Sequence, residues 1–276
     1  MRAAHPRSHT RGMSEIRVNG VSLYFEEHGA GAPIVALHGG GSSAAMWVEA
    51  APELAKRGRT ILYDRRGSLR SERPEPYATN VHEQTDDAAA LIDALAAAPA
   101  IVIGRSYGGA IAVDLALRYP ERVRALVLLE GDVPAVSETA AKEWAELEER
   151  LLAERAPRRF AEVLMREVLG DAGWEGVPEE VKEILVGNGP ALVAEIRGGY
   201  PDVTVEQLGT IEQPTLFVGA KDSVFNYRET AEVLAAAVPS ARIAWVEGGH
   251  AIDPAHPVVL SFIDDVLVLK EEPSIA

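Results

Sequence analysis

One short segment has the clearest potential for chemistry: Gly104-Arg105-Ser106-Tyr107-Gly108-Gly109. It directly follows the apolar run 100–103 and directly precedes the helical pattern 110–118. A sharp turn from strand to helix holds its middle residue in strained backbone angles, and small neighbours prevent clashes there. The Ser106 hydroxyl would then lie above the sheet, where a helix N-terminus favours developing negative charge. The segment predicts a nucleophilic serine; the alternative is a glycine-rich loop that only joins a strand to a helix.

The elements that must position this serine alternate between strand and helix. Short apolar runs, typical of parallel strands buried on both faces, occur at 34–37, 60–63, 101–103, 125–129, 215–218 and 242–246. Helical patterns lie at about 46–57, 81–97, 107–119, 227–237 and 257–269. Asn19-Gly20, between two strand patterns, adds an antiparallel hairpin with a type I′ turn. The sequence therefore predicts an α/β fold, a mostly parallel twisted sheet with helices on both faces and ligands beyond the carboxyl ends of the strands.

The interval 134–208 has no strand pattern. Trp144, Leu147 and Leu151 share one helical face, and Phe160 and Leu164 share another. The interval predicts a helical lid inserted between two core strands, although a solvated structural bundle would show the same pattern. The chain then divides into a disordered tail (1–14), a first core part (15–133), the lid (134–208) and a second core part (209–276).

Composition excludes several classes of function. The formal net charge of −15 argues against nucleic acid or a membrane surface as a partner. The absence of cysteine excludes disulfides, thiolate catalysis and cysteine-ligated metals, and no histidine spacing such as H-E-x-x-H indicates a metal site. No apolar run is long enough to span a bilayer, and the first dozen residues lack the apolar region of a secretory signal. We expect a cytoplasmic protein of one catalytic core that needs no metal or cofactor, with a monomer and a homodimer both open.

With these motifs the chain resembles the α/β-hydrolase superfamily, in particular its lid-bearing serine esterases, lactonases and C–C bond hydrolases. The resemblance extends from Ile16 to about Leu269. It rests on Leu37-His38-Gly39-Gly40-Gly41 after an early strand, Asp64-Arg65-Arg66-Gly67 after the next, Tyr119-Pro120-Glu121-Arg122-Val123 after the nucleophile helix, and Gly248-Gly249-His250 after the last strand. One position departs from the family pattern R-G-x-G-x-S, because Leu69 occupies the second glycine position and would reshape a loop near the pocket entrance.

The resemblance implies a role for each motif. Ser106 would be the nucleophile and His250 the general base, since the fold orders its triad as serine, acid and histidine. The backbone N–H groups of Gly40 and Tyr107 would form the oxyanion hole. His38 would be a structural residue that fixes the oxyanion loop rather than a second base.

The acid of the triad has two main candidates. Asp222 follows a strand at the commonest acid position of the family, and the sequence favours it. Glu130 ends the strand after the nucleophile helix, where some haloalkane dehalogenases and some lactonases of the superfamily place their acid. Asp132 is a more distant third. Any of these carboxylates could orient His250 and stabilise its protonated form.

A nucleophilic serine predicts hydrolysis of a small-molecule carboxylic ester or lactone through an acyl-enzyme intermediate. The substrate should be small or medium-sized and apolar, because no basic cluster is present for a polyanion. Candidate substrate contacts are Gly41, Trp47, Trp144 and Phe160, with Trp174 and Tyr200 as further possibilities. Three alternatives stay open: a C–C bond hydrolase, a cofactor-free acyltransferase or perhydrolase with the same triad, and a non-catalytic small-molecule-binding member of the fold.

Overall fold

The computed structural model describes residues 10–223 and 227–268, and a single eight-stranded sheet forms the centre of this part of the chain. In chain order the strands are β1 (Thr10–Val18), β2 (Val21–His28), β3 (Pro33–Leu37), β4 (Arg59–Tyr63), β5 (Ala100–Arg105), β6 (Val123–Leu129), β7 (Thr215–Ala220) and β8 (Ala241–Val246). Across the sheet the order is β1-β2-β4-β3-β5-β6-β7-β8. The pairs β1–β2 and β2–β4 are antiparallel and all other pairs are parallel. The predicted fold class is confirmed.

The helices in chain order are α1 (Ala51–Ala55), α2 (Val81–Ala94), α3 (Tyr107–Arg118), α4 (Glu138–Ala153), α5 (Pro157–Gly176), α6 (Glu179–Gly187), α7 (Gly189–Gly198), α8 (Val205–Leu208), α9 (Tyr227–Ala237) and α10 (Pro257–Val268). The predicted helix at 46–57 is divided into a 3₁₀ turn, Ala44–Trp47, and the short α1. Pro52 accounts for the start of α1, since a residue without an N–H is tolerated only in the first turn of a helix. None of the helices in the described ranges has the length and apolar run required to cross a membrane.

Helices cover both faces of the sheet, so its central strands are apolar throughout. In β5, Val102 packs into the core on one face, while Ile101 and Ile103 pack into the core on the other. Successive side chains of a strand point to opposite faces, and two covered faces therefore require a continuous apolar run. The sheet is thus a rigid support whose strand ends can hold functional side chains.

The amino-terminal hairpin has the predicted turn but a longer first strand. Asn19 and Gly20 have φ angles of 45° and 79°, as a type I′ turn requires. Strand β1 already begins at Thr10, so residues 10–14 belong to the sheet and not to the expected disordered tail. Residues 1–9 of that expected tail lie outside the described residues.

Helices α4 to α8 form an insertion between β6 and β7, and no strand lies between these two strands. We call residues 134–208 the helical insertion. Its helices bury a hydrophobic cluster of their own, separate from the two cores of the sheet, which includes Trp144, Leu147, Leu151 and Phe160. The longest helix, α5, is interrupted at Gly170, where φ is 72° and ψ is 158°.

Candidate active site

Ser106 lies at the turn from β5 into α3 with φ of 50° and ψ of −124°. An L-residue adopts such angles only where its surroundings enforce them, at a cost of about 1–3 kcal/mol. The enforcement is visible in three backbone hydrogen bonds. Ser106 N–H donates to the Leu129 carbonyl (3.1 Å), and Ser106 carbonyl accepts from the N–H groups of Gly109 (2.7 Å) and Asp132 (3.0 Å). The turn therefore joins the serine to β6 and to the loop that follows β6.

Two glycines of the motif allow α3 to approach its neighbours closely. A Cβ atom on Gly108 would lie 2.3 Å from the carbonyl oxygen of Leu37, and a Cβ atom on Gly109 would lie 2.3 Å from the Cα of Gly131. No side chain fits either contact. The bare backbone thus brings Ser106 next to the loop after β3, which contains Gly40, and next to the loop after β6, which contains Glu130 and Asp132.

The imidazole of His250 is bonded to Glu130. His250 Nδ1 lies 2.7 Å from Glu130 Oε2, and both side chains are buried. Glu130 also accepts hydrogen bonds from Ser223 Oγ (2.9 Å) and from the backbone N–H of Ala220 (2.9 Å). Because the carboxylate accepts the Nδ1 proton, Nε2 is the nitrogen left to accept a proton from another group. The geometry is that of an oriented general base.

Asp222, which the sequence favours as the partner of His250, occupies a different position. Its side chain is exposed, and its backbone N–H donates to the Gly248 carbonyl (3.0 Å). In the described ranges the carboxylate bonded to His250 belongs to Glu130, and Ser223 supports that carboxylate from the strand end where Asp222 lies. The sequence preference therefore needs correction. Glu130 has a φ of 43°, which aims its side chain towards β7 and is not readable from a residue pattern.

The loop after β3 is held by a neutral histidine. His38 Nε2 accepts from the backbone N–H of Arg65 (3.0 Å), so its Nδ1 carries the proton and donates to the Gly39 carbonyl (2.9 Å). Burial lowers the pKa of His38 well below its ordinary value, and the nearby Arg65 guanidinium lowers it further. Gly39, Gly40 and Tyr107 all line the cavity beside Ser106. The loop after β3 therefore lies where its backbone N–H groups can face a molecule bound beside Ser106.

Asn188, directly before α7, fixes the same loop from the helical insertion. Its side-chain amide donates to the carbonyls of Gly41 (3.2 Å) and Ser42 (2.8 Å), and its Oδ1 accepts from the backbone N–H of Leu69 (2.8 Å). Leu69 has a φ of 38°, the left-handed conformation that a glycine would adopt without strain. Leu69 thus occupies the second glycine position of the family pattern in a conformation that strains a leucine more than a glycine.

Glu195 of α7 forms a second connection. Its Oε1 pairs with Arg65 Nη1 (2.6 Å) and accepts from Gln84 Nε2 (3.3 Å), and all three side chains are buried. Arg65 in turn donates to the carbonyls of His38 (3.0 Å) and Gly39 (2.8 Å). Burial lowers the pKa of Arg65, but the charge and the hydrogen bond of Glu195, together with the nearby tyrosines, outweigh this effect and the pKa is raised. Sequence reasoning missed Asn188 and Glu195, because both act on residues more than 100 positions away.

A cavity of about 610 Å³ lies above Ser106, between the sheet and the helical insertion. One wall is apolar and comes from the insertion, with Trp144, Leu164, Met165, Val168, Leu185, Leu192 and Ile196. The part of the cavity next to the serine is more polar, and we call it the polar end; it is lined by Ser106, Asp132, Tyr200, Tyr227 and His250. The cavity can therefore hold an apolar molecule with one polar group next to the serine.

Aromatic side chains complete the polar end. The ring of Tyr227 stacks on the His250 ring, with centroids 4.8 Å apart and planes at 18°, and its side chain shares a hydrogen bond with Ser106. The Tyr200 hydroxyl donates to Asp132 Oδ2. Burial raises the pKa of Asp132 to about 6. No sequence pattern singles out Tyr227, which is only the first residue of an ordinary helical pattern.

The expected substrate contacts are divided between the cavity and the cores. Trp144 and Tyr200 line the cavity, whereas Trp47 is fully buried in the core beneath the sheet and Phe160 is buried inside the helical insertion. Gly41 faces Leu192 instead of the cavity.

Trp174 also packs inside the insertion. A large apolar residue of an amphipathic helix can face either a cavity or a core, and the sequence does not distinguish them. Within residues 10–223 and 227–268, no group of three or more acidic or histidine side chains is arranged to hold a metal ion.

Comparison with known proteins identifies the family of this chain. The model of the alpha/beta hydrolase fold family matches residues 32–253. The chain therefore belongs to the α/β-hydrolase family, as its motifs indicate, and it is a hydrolase of that fold.

Its relatives and structural neighbours are named for different substrates. An Azorhizobium caulinodans protein named "Putative carbamate hydrolase RutD" is 33% identical over 249 residues, which cover 87% of this chain and 92% of that protein. A 2-hydroxymuconate semialdehyde hydrolase of a Pseudomonas species is 41% identical over 118 residues, 42% of each chain. Among solved structures, a thermophilic esterase from Thermogutta terrifontis has a TM-score of 0.76 at 22% identity, and the match covers 95% of this chain and 99% of that chain.

Proposed function

We propose that this chain is a serine hydrolase that cleaves a carboxylic ester or a lactone through an acyl-enzyme intermediate. The observation that carries the proposal is the 2.7 Å hydrogen bond between His250 and Glu130, beside a cavity that also contains Ser106. A base oriented by a carboxylate, next to a serine on a strained turn, is the arrangement that acyl transfer requires.

The first half of the reaction forms the acyl-enzyme. The Ser106 hydroxyl turns from Tyr227 to His250, gives its proton to Nε2 and attacks the substrate carbonyl carbon. Glu130 accepts the hydrogen bond from Nδ1–H and stabilises the imidazolium that forms. The backbone N–H groups of Gly40 and Tyr107 donate to the oxyanion of the tetrahedral intermediate. Collapse of this intermediate expels the alkoxide, which takes the proton from His250.

The second half returns the enzyme to its starting state. Water gives a proton to His250 and attacks the acyl carbon, and the carboxylic acid leaves as Ser106 regains its proton. A lactone follows the same course, except that its alkoxide stays attached to the acyl group. The apolar wall and the volume of about 610 Å³ support a small or medium-sized substrate.

Site variants assayed on p-nitrophenyl butyrate and a panel of lactones test the proposal. Ser106→Ala should lower kcat by about 10⁶-fold, since removing a triad nucleophile has that effect. Glu130→Gln should lower kcat by about 10⁴-fold, because the amide no longer holds the imidazole in the required tautomer. Asp222→Asn is the matched control, an acid-to-amide change at an exposed neighbouring position, and should stay near wild type.

The outcomes separate the parts of the proposal. Full activity of Ser106→Ala would refute the serine mechanism. A larger loss in Asp222→Asn than in Glu130→Gln would move the acid to Asp222. The panel should also include a phenyl carbamate and 2-hydroxymuconate semialdehyde, since the two relatives are named for a carbamate and for that semialdehyde. A clear preference for the semialdehyde would replace ester or lactone hydrolysis by C–C bond hydrolysis.

A further inference from the structure

Asp132 is a buried carboxylate that the proposed mechanism does not use. It follows β6, is 5% exposed and lines the cavity. Its backbone N–H donates to the carbonyl of Ser106 (3.0 Å), so its position is tied to that of the nucleophile. The Tyr200 hydroxyl donates to Oδ2, whereas Oδ1 accepts no hydrogen bond from any residue in the described ranges. One carboxylate oxygen therefore lacks a donor at the polar end of the cavity.

The neighbours of Asp132 do not supply this donor. The titratable groups that face it are Tyr107 of α3, Tyr200 after α7, Tyr227 of α9 and His250 after β8. Burial raises the pKa of all three tyrosines well above the ordinary value, so they stay neutral. His250 is already bonded to Glu130. In the described ranges Oδ1 is not one of the side-chain atoms that are both buried and unpartnered, so this oxygen is open to the cavity. An acceptor that is open to a cavity, on a carboxylate with a raised pKa, is a candidate for ligand recognition.

We infer that Asp132 selects substrates with an O–H or N–H group beside the scissile carbonyl, by accepting a hydrogen bond from that group on Oδ1. The inference rests on the proposed function and narrows its substrate class to esters or lactones that carry a hydrogen-bond donor. Tyr200 is the positioning residue, since its hydroxyl fixes the other carboxylate oxygen. An ether at the same place in the substrate would face Asp132 with no proton to donate.

The ionisation of Asp132 gives this selectivity a pH dependence. Burial raises the pKa of Asp132 to about 6, and the hydrogen bond from Tyr200 opposes part of that rise. Above pH 6 the group is an ionised acceptor, so the preference for a donor is present. As the pH falls through 6 the carboxyl gains a proton and the preference is lost. A ratio of kcat/KM values for two substrates of the same enzyme cancels every pH effect that is common to both substrates.

The test compares methyl hexanoates that carry a hydroxyl at carbon 2, 3 or 6 with their methyl ethers and with plain methyl hexanoate. For wild type, at least one hydroxy ester should exceed its ether by about 10- to 100-fold in kcat/KM at pH 8, as expected for a hydrogen bond to a charged group. The ratio should fall towards 1 at pH 5. Plain methyl hexanoate, assayed with wild type and with Ser106→Ala, reports on the proposed function separately.

Two variants and one control locate the effect. Asp132→Leu has nearly the same shape and no acceptor, so the ratio should be near 1 at every pH. Tyr200→Phe removes the hydrogen bond that holds the pKa of Asp132 down, so the fall in the ratio should move to higher pH. Asp202→Leu makes the same change at an exposed site in the segment after α7 and should keep the wild-type ratio.

The results distinguish the two hypotheses. Ratios near 1 for every pair in wild type, or a ratio that survives in folded Asp132→Leu, would overturn the role of Asp132. A ratio that also collapses in Asp202→Leu would overturn it too, because the effect would not be specific to the cavity. If wild type hydrolyses none of the esters, or if Ser106→Ala hydrolyses them, the proposed function itself fails. These measurements include the wild-type pH series, which needs no variant to fold.

Discussion

Helices α5 and α7 both line the cavity, but they are joined to the rest of the molecule in different ways. α5 contributes the apolar side chains of Leu164, Met165 and Val168. Its charged side chains pair with other residues of the helical insertion, as in the exposed pair of Arg158 with Glu183 (2.8 Å). α5 therefore contributes apolar surface to the cavity and determines part of its shape.

α7, together with Asn188 directly before it, is instead bonded to the loop after β3, whose backbone is proposed to bind the oxyanion. Asn188 donates to the carbonyls of Gly41 and Ser42, Leu192 packs against Gly40, and Glu195 pairs with Arg65. One helical insertion thus contains a part that shapes the cavity and a part that supports the backbone groups proposed for the oxyanion hole. Changes in α7 should lower kcat, whereas changes in α5 should act mainly on KM.

Among changes that test this comparison, Glu195→Ala has the largest expected effect. Removing this carboxylate leaves the buried Arg65 guanidinium without its ion-pair partner, which should lower the free energy of unfolding by about 3–5 kcal/mol. Urea unfolding at pH 7 measures it. Glu183→Ala is the matched control, because it breaks an exposed glutamate–arginine pair of the same insertion and should cost less than about 1 kcal/mol. Similar losses in both variants would show that burial does not distinguish the two pairs.

Asn188→Asp should have the next largest effect. The carboxylate keeps an acceptor for the Leu69 N–H but cannot donate to the carbonyls of Gly41 and Ser42. Loss of those donors and repulsion of the carbonyl oxygens should cost about 1–3 kcal/mol, seen as a roughly 10- to 100-fold lower kcat with little change in KM. Steady-state kinetics on p-nitrophenyl butyrate measures both constants. A change in KM alone would mean that α7 serves only to bind substrate.

The local parts of this molecule could be predicted from the sequence. The strands, the flanking helices and the positions of Ser106 and His250 follow from apolar runs and from motifs that lie within a few residues of each other. The sequence also narrowed the partner of His250 to carboxylates at neighbouring strand ends. It favoured Asp222 over Glu130, because the direction of a side chain after a strand depends on backbone angles such as the positive φ of Glu130.

The long-range parts could not be predicted. The pair of Arg65 with Glu195 joins residues 130 positions apart, and no local pattern indicates that these two residues pair. The sequence also predicted Trp47 and Phe160 as substrate contacts, although both are buried in cores. A large apolar residue has the same sequence pattern whether it faces a cavity or a core. What separates α7 from α5 is therefore visible only once the chain is folded.

Val168→Ala tests the role of α5, which contributes part of the apolar wall of the cavity. Val168 lines the apolar wall from α5, so its truncation should raise KM for p-nitrophenyl butyrate about 3- to 10-fold, while kcat stays within about 2-fold. Val163→Ala makes the same change in α5 at a position that does not line the cavity, and should leave KM unchanged. A loss of kcat in Val168→Ala without a loss in Asn188→Asp would reverse the roles assigned to the two helices.

The smallest expected effect concerns Leu69, whose N–H bonds to Asn188. Leu69 is 46% exposed with a φ of 38°, so Leu69→Gly removes backbone strain and loses little buried surface. We expect this variant to raise the free energy of unfolding by up to about 1 kcal/mol.

Leu152→Gly is the matched control: Leu152 is 40% exposed in the ordinary helix α4, and the same change there should lower stability by about 1 kcal/mol. Thermal unfolding measures both. Opposite signs would show that the left-handed conformation is imposed at Leu69 by its neighbours, with the Asn188 side chain among them, whereas a loss of stability in both variants would mean that the leucine side chain contributes more than the strain costs.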